Sequence, residues 1–326
     1  MSNSNTLSRR HFLQITAVAG TVFAGGRWLT RLNQPPRPLS QTRLLMGTLI
    51  NLTVVSEDEA QAQQAITATF AEMERLIAFF NWRQPDSPLA QLNQTGTLQQ
   101  PPAELTDLLQ QANSISQLSG GAFDVTVLPL LTAVREGKDL APAHALVDYR
   151  QLQITSSEIR LGKGQQITLD GIAKGRVVDG ATAVLQAHGF ENILVEAGGD
   201  LLANGTRTSG QPWQVGITHP RQTGEALGVL SLSEQAAATS GDYQHSFTQD
   251  FASHHIIDPR QGVSPAELAS VTVLAPTATL ADSLSTAVMV LGAQAGIQLI
   301  DQLPETAALV VTKQMKIVRS ASFPAV

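Results

Sequence analysis

The chain has 326 residues, is 43% hydrophobic and 15% charged, and carries a formal net charge of −6 with no cysteine. That is ample apolar material for a core, and an acidic chain without basic clusters lacks the cationic stripe that meets nucleic-acid phosphates, so nucleic acid is not an expected partner. The absence of cysteine excludes disulfides, thiolate metal sites, a cysteine nucleophile and lipid-modified cysteine, and leaves packing, with at most a hard metal ion, to hold the fold.

The N-terminal stretch SRRHFLQI, Ser8 to Ile15, fits the twin-arginine export pattern, and a weakly apolar run from Ile15 to Ala24 follows it. At about ten residues that run falls well short of the roughly 20 that span a bilayer, and suits the apolar region of a signal peptide. Residues 1–24 are therefore expected to be a twin-arginine signal, cleaved after Ala24 or kept as an anchor. Residues 25–40, with RLNQPPRP, read as a linker. The expected location is the periplasm, or the inner membrane facing it.

Residues 41–326 read as one folded domain. LLMGTLINLTVV (Leu44 to Val55) suggests a strand. Ile66, Phe70, Met73, Ile77 and Phe80 step by four and three, which predicts a helix over 58–80. Asn81 to Asn93, broken by Pro85 and Pro88, reads as a loop. Leu105, Leu108, Leu109, Ala112 and Ile115 mark a second helix stopped at Gly120-Gly121. FDVTVLPLL is apolar and interrupted by Pro129. QQITLD reads as a strand running into a helix over 173–188. NILVEAGGDLLANG reads as two strands about a glycine turn, and WQVGI, LGVLSL and ASVTVLA as further strands. Helices are expected over 277–291 and 293–303, and AALVVT and MKIVRS as a closing hairpin. Segregated helices and many hairpin-like strands predict an α+β fold of mixed sheets and helices, in two closely packed lobes.

Three stretches carry the chemistry. In TLDGIAKGRVVDGA, Thr168 to Ala181, Asp170 stands at an expected strand end, Gly171 and Gly175 flank Lys174, and Arg176 follows. Helix N-termini and cations receive phosphate, although an aspartate capping a helix beside solvated basic residues is an equally simple account. The spacing is neither that of a dinucleotide-binding glycine fingerprint nor that of a Walker loop. In ATLADSLSTAVMVLG, Asp282 and Thr286 lie one helical turn apart, so a carboxylate and a hydroxyl can reach one hard divalent cation such as Mg²⁺; small polar residues packing against a neighbour would look the same. In SHHIIDPRQG, His254 and His255 point to opposite faces of an extended chain and make poor joint zinc ligands, and His245 is too isolated to complete a site. One of the pair could serve as a general base or equally as a satisfied structural histidine.

Taken in order, MGT (46–48), the aromatic and DSPLAQLN after the first helix, GGAFDVTV, LDGIAKGRVVD, VEAGGDLLANG, ATSGDY, HIIDPRQG and ADSLSTA resemble the ApbE-type FAD:protein FMN transferases, over most of the chain from Met46 to the Asp282 helix. The resemblance implies a T-fold-related ApbE-like domain that binds FAD as substrate with Mg²⁺. It implies transfer of FMN to a threonine or serine hydroxyl of an acceptor flavoprotein bearing a Gly-Ala-Thr/Ser-Thr motif, such as a subunit of a membrane redox complex, with release of AMP. It places Met46, Trp82, Ala122, Phe123, Asp124, Asp170, Lys174, Arg176 and Ile256 at FAD. The metal falls to the carbonyl of Ala173 with Asp282, Ser285 and Thr286, and His255 and Asp282 become the catalytic candidates. Where relatives often have asparagine before the AGGD glycines, Glu196 and Ala197 stand here. DGATA (179–183) resembles an acceptor motif but falls inside the expected helix, so self-flavinylation is not expected. Two other activities remain open at this point: hydrolysis of FAD to FMN and AMP, and non-enzymatic FAD carriage.

Overall fold

The structure, a computed structural model, describes residues 35–325. The export-signal reading and most of the linker lie outside the described residues. What the sequence offered as one strand is a hairpin, β1 (Arg37–Leu45) and β2 (Thr48–Ser56). Met46 and Gly47 form its turn, both with positive φ (52° and 74°). That is the two-residue geometry whose twist suits antiparallel strands. β1 thus begins inside the stretch expected to be linker; its Pro38 is tolerated because β1 is an edge strand.

Helix α1 (Glu59–Phe80) starts where expected, with Asp58 accepting from the amides of Ala60 and Gln61. The stretch read as a loop contains α2 (Pro88–Thr95), capped by Ser87, with Pro88 in the first turn. Proline there gives up only an amide that has no helical partner, so it opens the helix instead of breaking it. β3 (Thr97–Gln99), α3 (Ala103–Leu118), α4 (Leu128–Glu136) and α5 (Ala141–His144) follow, with β4 (Gln153–Ile154) and β5 (Glu158–Arg160) joining β3 in a small sheet ordered β3-β5-β4. The apolar FDVTVLPLL is therefore a short 3₁₀ turn and a helix, again with proline near a helix start.

QQITLD pairs with no strand. Its backbone at Ile167 is held by the side chain of Asn93, which donates to the carbonyl at 2.8 Å and accepts from the amide at 2.7 Å. A single asparagine replaces the ladder, so the alternating pattern yields an extended segment. Asp170 accordingly lies in a turn ahead of α6 (Ala173–Ala187), whose N-cap residue is Ile172.

The main sheet adds β6 (Ile193–Ala197), β7 (Asp200–Asn204), β10 (Gln235–Gly241), β11 (Leu268–Ala275), β12 (Ala307–Thr312) and β13 (Ile317–Arg319) to the first hairpin, in the order β1-β2-β6-β7-β10-β11-β12-β13, antiparallel throughout. One face carries the helices. Phe70 and Leu76 of α1, Val177 of α6, and Leu284 and Val288 of α7 (Ala278–Leu291) share one apolar cluster with Leu52 and Val273 of the sheet. α8 (Ala293–Asp301) follows α7 on this side, donating Leu299 and Ile300 to the same cluster. The opposite face is covered by the ribbon β8 (Trp213–Thr218) and β9 (Ala226–Leu232), through Trp213, Ile217, Leu230 and Leu232 against Leu201, Leu309 and Val311. The two expected lobes share this central sheet. Among the described residues no helix is long and apolar enough to cross a membrane.

Candidate active site

The site forms where α6 and α7 begin. Asp179 of α6 accepts from the first two amides of α7, Ala278 at 2.8 Å and Thr279 at 2.9 Å, so a carboxylate meets the positive end of that helix. Gly175 lets the two backbones close up, for a Cβ there would sit 2.2 Å from the Ala278 carbonyl oxygen. This glycine, expected to admit a ligand, instead admits α7. DGATA runs within α6, and its aspartate is spent on the cap.

One turn into α7, Asp282 is 3% exposed and accepts from the Gly175 amide at 3.0 Å. Thr286 lies one turn further on, and a Cβ on Gly171 would come 3.1 Å from its Oγ1 and 3.2 Å from the Phe123 ring. The Asp170-Gly171 turn therefore closes over α7 because position 171 has no side chain. Ser285 faces β10: its Oγ lies 2.8 Å from Ser240 Oγ and donates to the Asp282 carbonyl at 2.9 Å, while Ser240 is also 3.4 Å from Thr286 Oγ1.

Lys174 pairs with Asp200, Nζ to Oδ2 at 2.7 Å, across the AGGD turn. Burial works against the Lys174 charge, but Asp200 and then Asp282 outweigh it and hold the ammonium well above its usual range. Burial pushes Asp282 up to about 8, reinforced by Asp200, against the pull of Lys174 and the Gly175 amide. Asp200 is raised too, chiefly by burial. Lys174 is thus paired with Asp200 and kept charged by it and by Asp282, while it lines the cleft.

A cleft opens beside these groups. Of the residues singled out from sequence, Ala122, Phe123, Asp124, Asp170, Lys174, His255, Ile256, Asp282 and Thr286 line it. Asp124 caps the turn after it, taking the amides of Thr126 (2.8 Å) and Tyr149 (3.0 Å), and burial raises its carboxyl. Asp170 accepts from Trp82 Nε1 at 3.3 Å and from Arg83 at 3.1 and 3.3 Å, so its carboxylate bridges to the segment after α1 and caps no helix. Trp82 stacks under the Arg83 guanidinium at 4.1 Å.

Five expected residues do not line the cleft: Trp82, which reaches it only through Asp170, and Met46, Arg176, Ser285 and Ala173. Met46 packs at the hairpin tip against the main apolar cluster. Arg176 points along α6, its guanidinium 3.4 Å from the Cβ position of Gly180 and near enough to influence Glu104. Ser285 and Ala173 sit one residue behind lining residues. Glu196 takes an amide hydrogen from Asn51 of β2, so that position contributes to the sheet.

His254 and His255 divide as the extended chain requires. His254 is wholly buried, with Nε2 3.3 Å from the Pro265 carbonyl. His255 lines the cleft; its Nδ1 is buried without a hydrogen-bond partner among the described residues, and burial, with His245 and His254 beside it, lowers it to about 4. Asp200, Ser240 and Asp179 were not singled out from sequence. Each stands in a quoted motif, but its partner lies on another element, and only the fold brings the two together.

The groups gathered at Asp282 are its own carboxylate and the hydroxyls of Thr286, Ser285 and Ser240, all hard oxygen. No group of three metal-binding His, Asp or Glu side chains exists among the described residues. An ion there would be held by one carboxylate and completed by water and substrate phosphates, the usual habit of Mg²⁺. A divalent cation would also supply the positive charge that burial denies Asp282, so the residues fit Mg²⁺. A wider recess of about 810 Å³ near α8 and β12 is lined by Glu234, Asp301 and Glu305, with no cation or histidine in its walls, and offers nothing to a phosphate.

Residues 46–310 match the model of the ApbE family. FAD:protein FMN transferase of Haemophilus influenzae is 30% identical, over 81% of this chain and 84% of its own length, and that of Vibrio cholerae 31% identical, over 80% and 84%. Among solved structures, the ApbE protein of Thermotoga maritima superposes with a TM-score of 0.80 at 27% identity, covering 88% of this chain and 98% of its own. The flavin transferase ApbE of Vibrio cholerae gives 0.76 at 26% identity, covering 89% and 99%. The chain belongs to the ApbE family.

Proposed function

We propose that this chain is an FAD:protein FMN transferase that uses Mg²⁺. It moves FMN from FAD onto a threonine or serine hydroxyl of an acceptor protein bearing a Gly-Ala-Thr/Ser-Thr motif, such as a subunit of a membrane redox complex. The acceptor oxygen bonds to the phosphorus on the riboflavin side, the bond from that phosphorus to the bridging oxygen breaks, and AMP leaves with that oxygen. The activity of the named relatives supports this reading. The observation that carries it is the junction at which the Gly175 amide meets Asp282, with Thr286, Lys174 and His255 on the walls of one cleft.

Asp282, Thr286 and the Ala173 carbonyl would hold Mg²⁺, which when bound supplies positive charge to the diphosphate oxygens and the leaving phosphate. Lys174 and Asp200 fix the electrostatic floor of the site. Ala122, Phe123 and Ile256 are buried and present apolar surface for a flat ring. His255 is neutral near pH 7 and can accept the hydroxyl proton; phosphoryl transfer through a loose transition state asks little of its base. We also assign the chain to the periplasmic side of the membrane, on the twin-arginine pattern at Ser8 to Ile15.

Incubation with FAD, Mg²⁺ and an acceptor carrying the motif tests the reaction. Expected is a mass gain of one FMN on a single threonine or serine, matched by AMP. AMP formed equally without acceptor would make the chain an FAD hydrolase, and FAD that stays intact would make it a carrier.

A further inference from the structure

The segment from Tyr243 to His255 leads from β10 to the cleft histidine; Gln244 Nε2 ties its start to the Thr239 carbonyl of β10 at 3.1 Å and the His254 amide ties its end to Ser264 Oγ at 2.9 Å, while the stretch between is bonded to itself. Ser246 Oγ donates to the carbonyls of Thr248 and Ser253, and the Phe247 amide donates to Ser253. Its base is closed by the His255 amide donating to the His245 carbonyl at 3.0 Å. What fastens its tip is a cluster centred on Asp242, the residue directly after β10, which is wholly buried. Arg221, from the β8–β9 loop, grips both Asp242 oxygens at 2.8 and 2.7 Å. Lys313, from the β12–β13 turn, stands 3.7 Å from the same carboxylate. Both cations then reach the loop at one residue, Phe251: Lys313 Nζ donates to its carbonyl at 2.8 Å, and the Arg221 guanidinium lies 4.4 Å from its ring centroid.

Phe251 has φ of 58°. A bulky side chain rarely enters this left-handed region, and does so where surrounding contacts over-determine it. Lys313 also feels the Asp250 carboxylate beside Phe251, so the two cations stand between Asp242 and the loop tip, where the Phe251 carbonyl and ring face receive them. Buried ion pairs add little net stability once desolvation is counted, so stability alone does not account for the arrangement.

We infer that Arg221, Asp242, Lys313 and Phe251 form a positioning device that holds the 243–255 segment against the sheet and so keeps His255 in the cleft. The inference rests on the proposed transfer reaction for its rate readout only. The four residues touch neither FAD nor metal ligand in this account; they act through His255.

The test compares full-length wild type, Phe251→Ala and Phe251→Tyr by amide hydrogen exchange, FAD affinity and transfer rate at saturating FAD and acceptor. In Phe251→Ala, amides of 244–253 are expected to exchange about tenfold faster or more, FAD affinity to stay within about threefold, and the transfer rate to fall about tenfold or more. Phe251→Tyr keeps the ring and should restore both exchange and rate. Lys313→Met, which removes the bond to the Phe251 carbonyl and leaves the Arg221–Asp242 pair intact, serves if Phe251→Ala does not fold. Unchanged exchange in Phe251→Ala or Lys313→Met, or a segment loosened in either with the transfer rate within about twofold of wild type, overturns the inference. A wild type that binds FAD but transfers nothing would overturn the proposed reaction instead, while the exchange comparison still decides whether the cluster holds the segment.

Discussion

At the scale of single residues, Asp282 is a carboxyl in a place that opposes its charge. Burial and then Asp200 raise it from 3.8 to about 8. Its contribution to stability is therefore complete below about pH 4 and declines as pH rises through 8. An ion that binds the charged form offsets that decline, so Mg²⁺ should raise the melting temperature, and more at pH 8.5 than at pH 6. Asp282→Asn should lose this Mg²⁺-dependent shift, and lose about 100-fold or more in transfer rate, since even residues that only orient metal ligands are worth 10- to 100-fold. An undiminished shift in the variant would remove Asp282 from the ion's ligands. His255 runs the other way: it is lowered from 6.5 to about 4, by burial first. The protein has this stability in full above pH 6.5 and loses it as pH falls towards 4, by about 3 kcal/mol at 1.36 kcal/mol per unit. His255→Leu should therefore unfold with a flatter pH dependence between 7 and 4 and a higher midpoint at pH 5, while transferring flavin more slowly. Equal pH slopes in urea titrations of the two proteins would contradict the buried, unpartnered imidazole. These roles were half legible: the residue types and their motifs could be read from sequence, but the partners that set their charge, Asp200 for Lys174 and Gly175 for Asp282, come from other elements.

At the scale of elements, what positions the site is the close approach of α6 and α7. Alanine in place of glycine inside a helix ordinarily gains about 1 kcal/mol in helix propensity. At Gly175 the sign should reverse, because the added methyl meets backbone, the Ala278 carbonyl oxygen at 2.2 Å, which has no rotamer to escape into. Gly175→Ala should cost about 1–3 kcal/mol by overpacking and push Asp282 off the Gly175 amide, so activity falls with stability. Gly180→Ala is the control: its methyl would meet the Leu76 Cδ1, the flexible end of a side chain, and should cost less. Denaturant midpoints for the two variants decide this, and a stabilised Gly175→Ala would mean that α7 can move away freely. The helices themselves were legible because their apolar spacing is strong; α1 starts at its aspartate cap as read. The misreadings have local causes. Pro88 and Pro129 open helices although proline inside a run reads as a break, Met46-Gly47 turns a hairpin without an Asn-Gly signal, and Asn93 occupies the hydrogen bonds that would have made QQITLD a strand. β10, QAAATSG, is built of small residues with little β-branching, so the strand that brings Ser240 to α7 gave almost no signal.

At the scale of the whole molecule, the α+β class followed from the alternation of hairpin strands with separate helices, but the strand order did not. β7 pairs with β10 across the intervening β8–β9 ribbon, and β2 with β6 across more than a hundred residues, and no local pattern encodes either neighbour. That non-local order carries Asp200 to Lys174 and Asp242 to Arg221 and Lys313, which is why the supporting charges of the site were invisible in the sequence while its motifs were not. The same chain-wide view bears on where the protein works. A fold without cysteine needs no oxidising compartment to form its cross-links. On the proposed twin-arginine export the chain would fold before it crosses a membrane, and the paired Arg9 and Arg10 ahead of Phe12 and Leu13 suit a route that carries folded cargo. Replacing both arginines with lysine keeps the charge and removes only the pairing that such a signal requires. In cell fractionation this double variant should leave the periplasm and accumulate in the cytoplasm, while transfer activity in whole-cell extract stays at the wild-type level, since both residues precede the described fold. Periplasmic protein at wild-type abundance would show that these two arginines do not direct export.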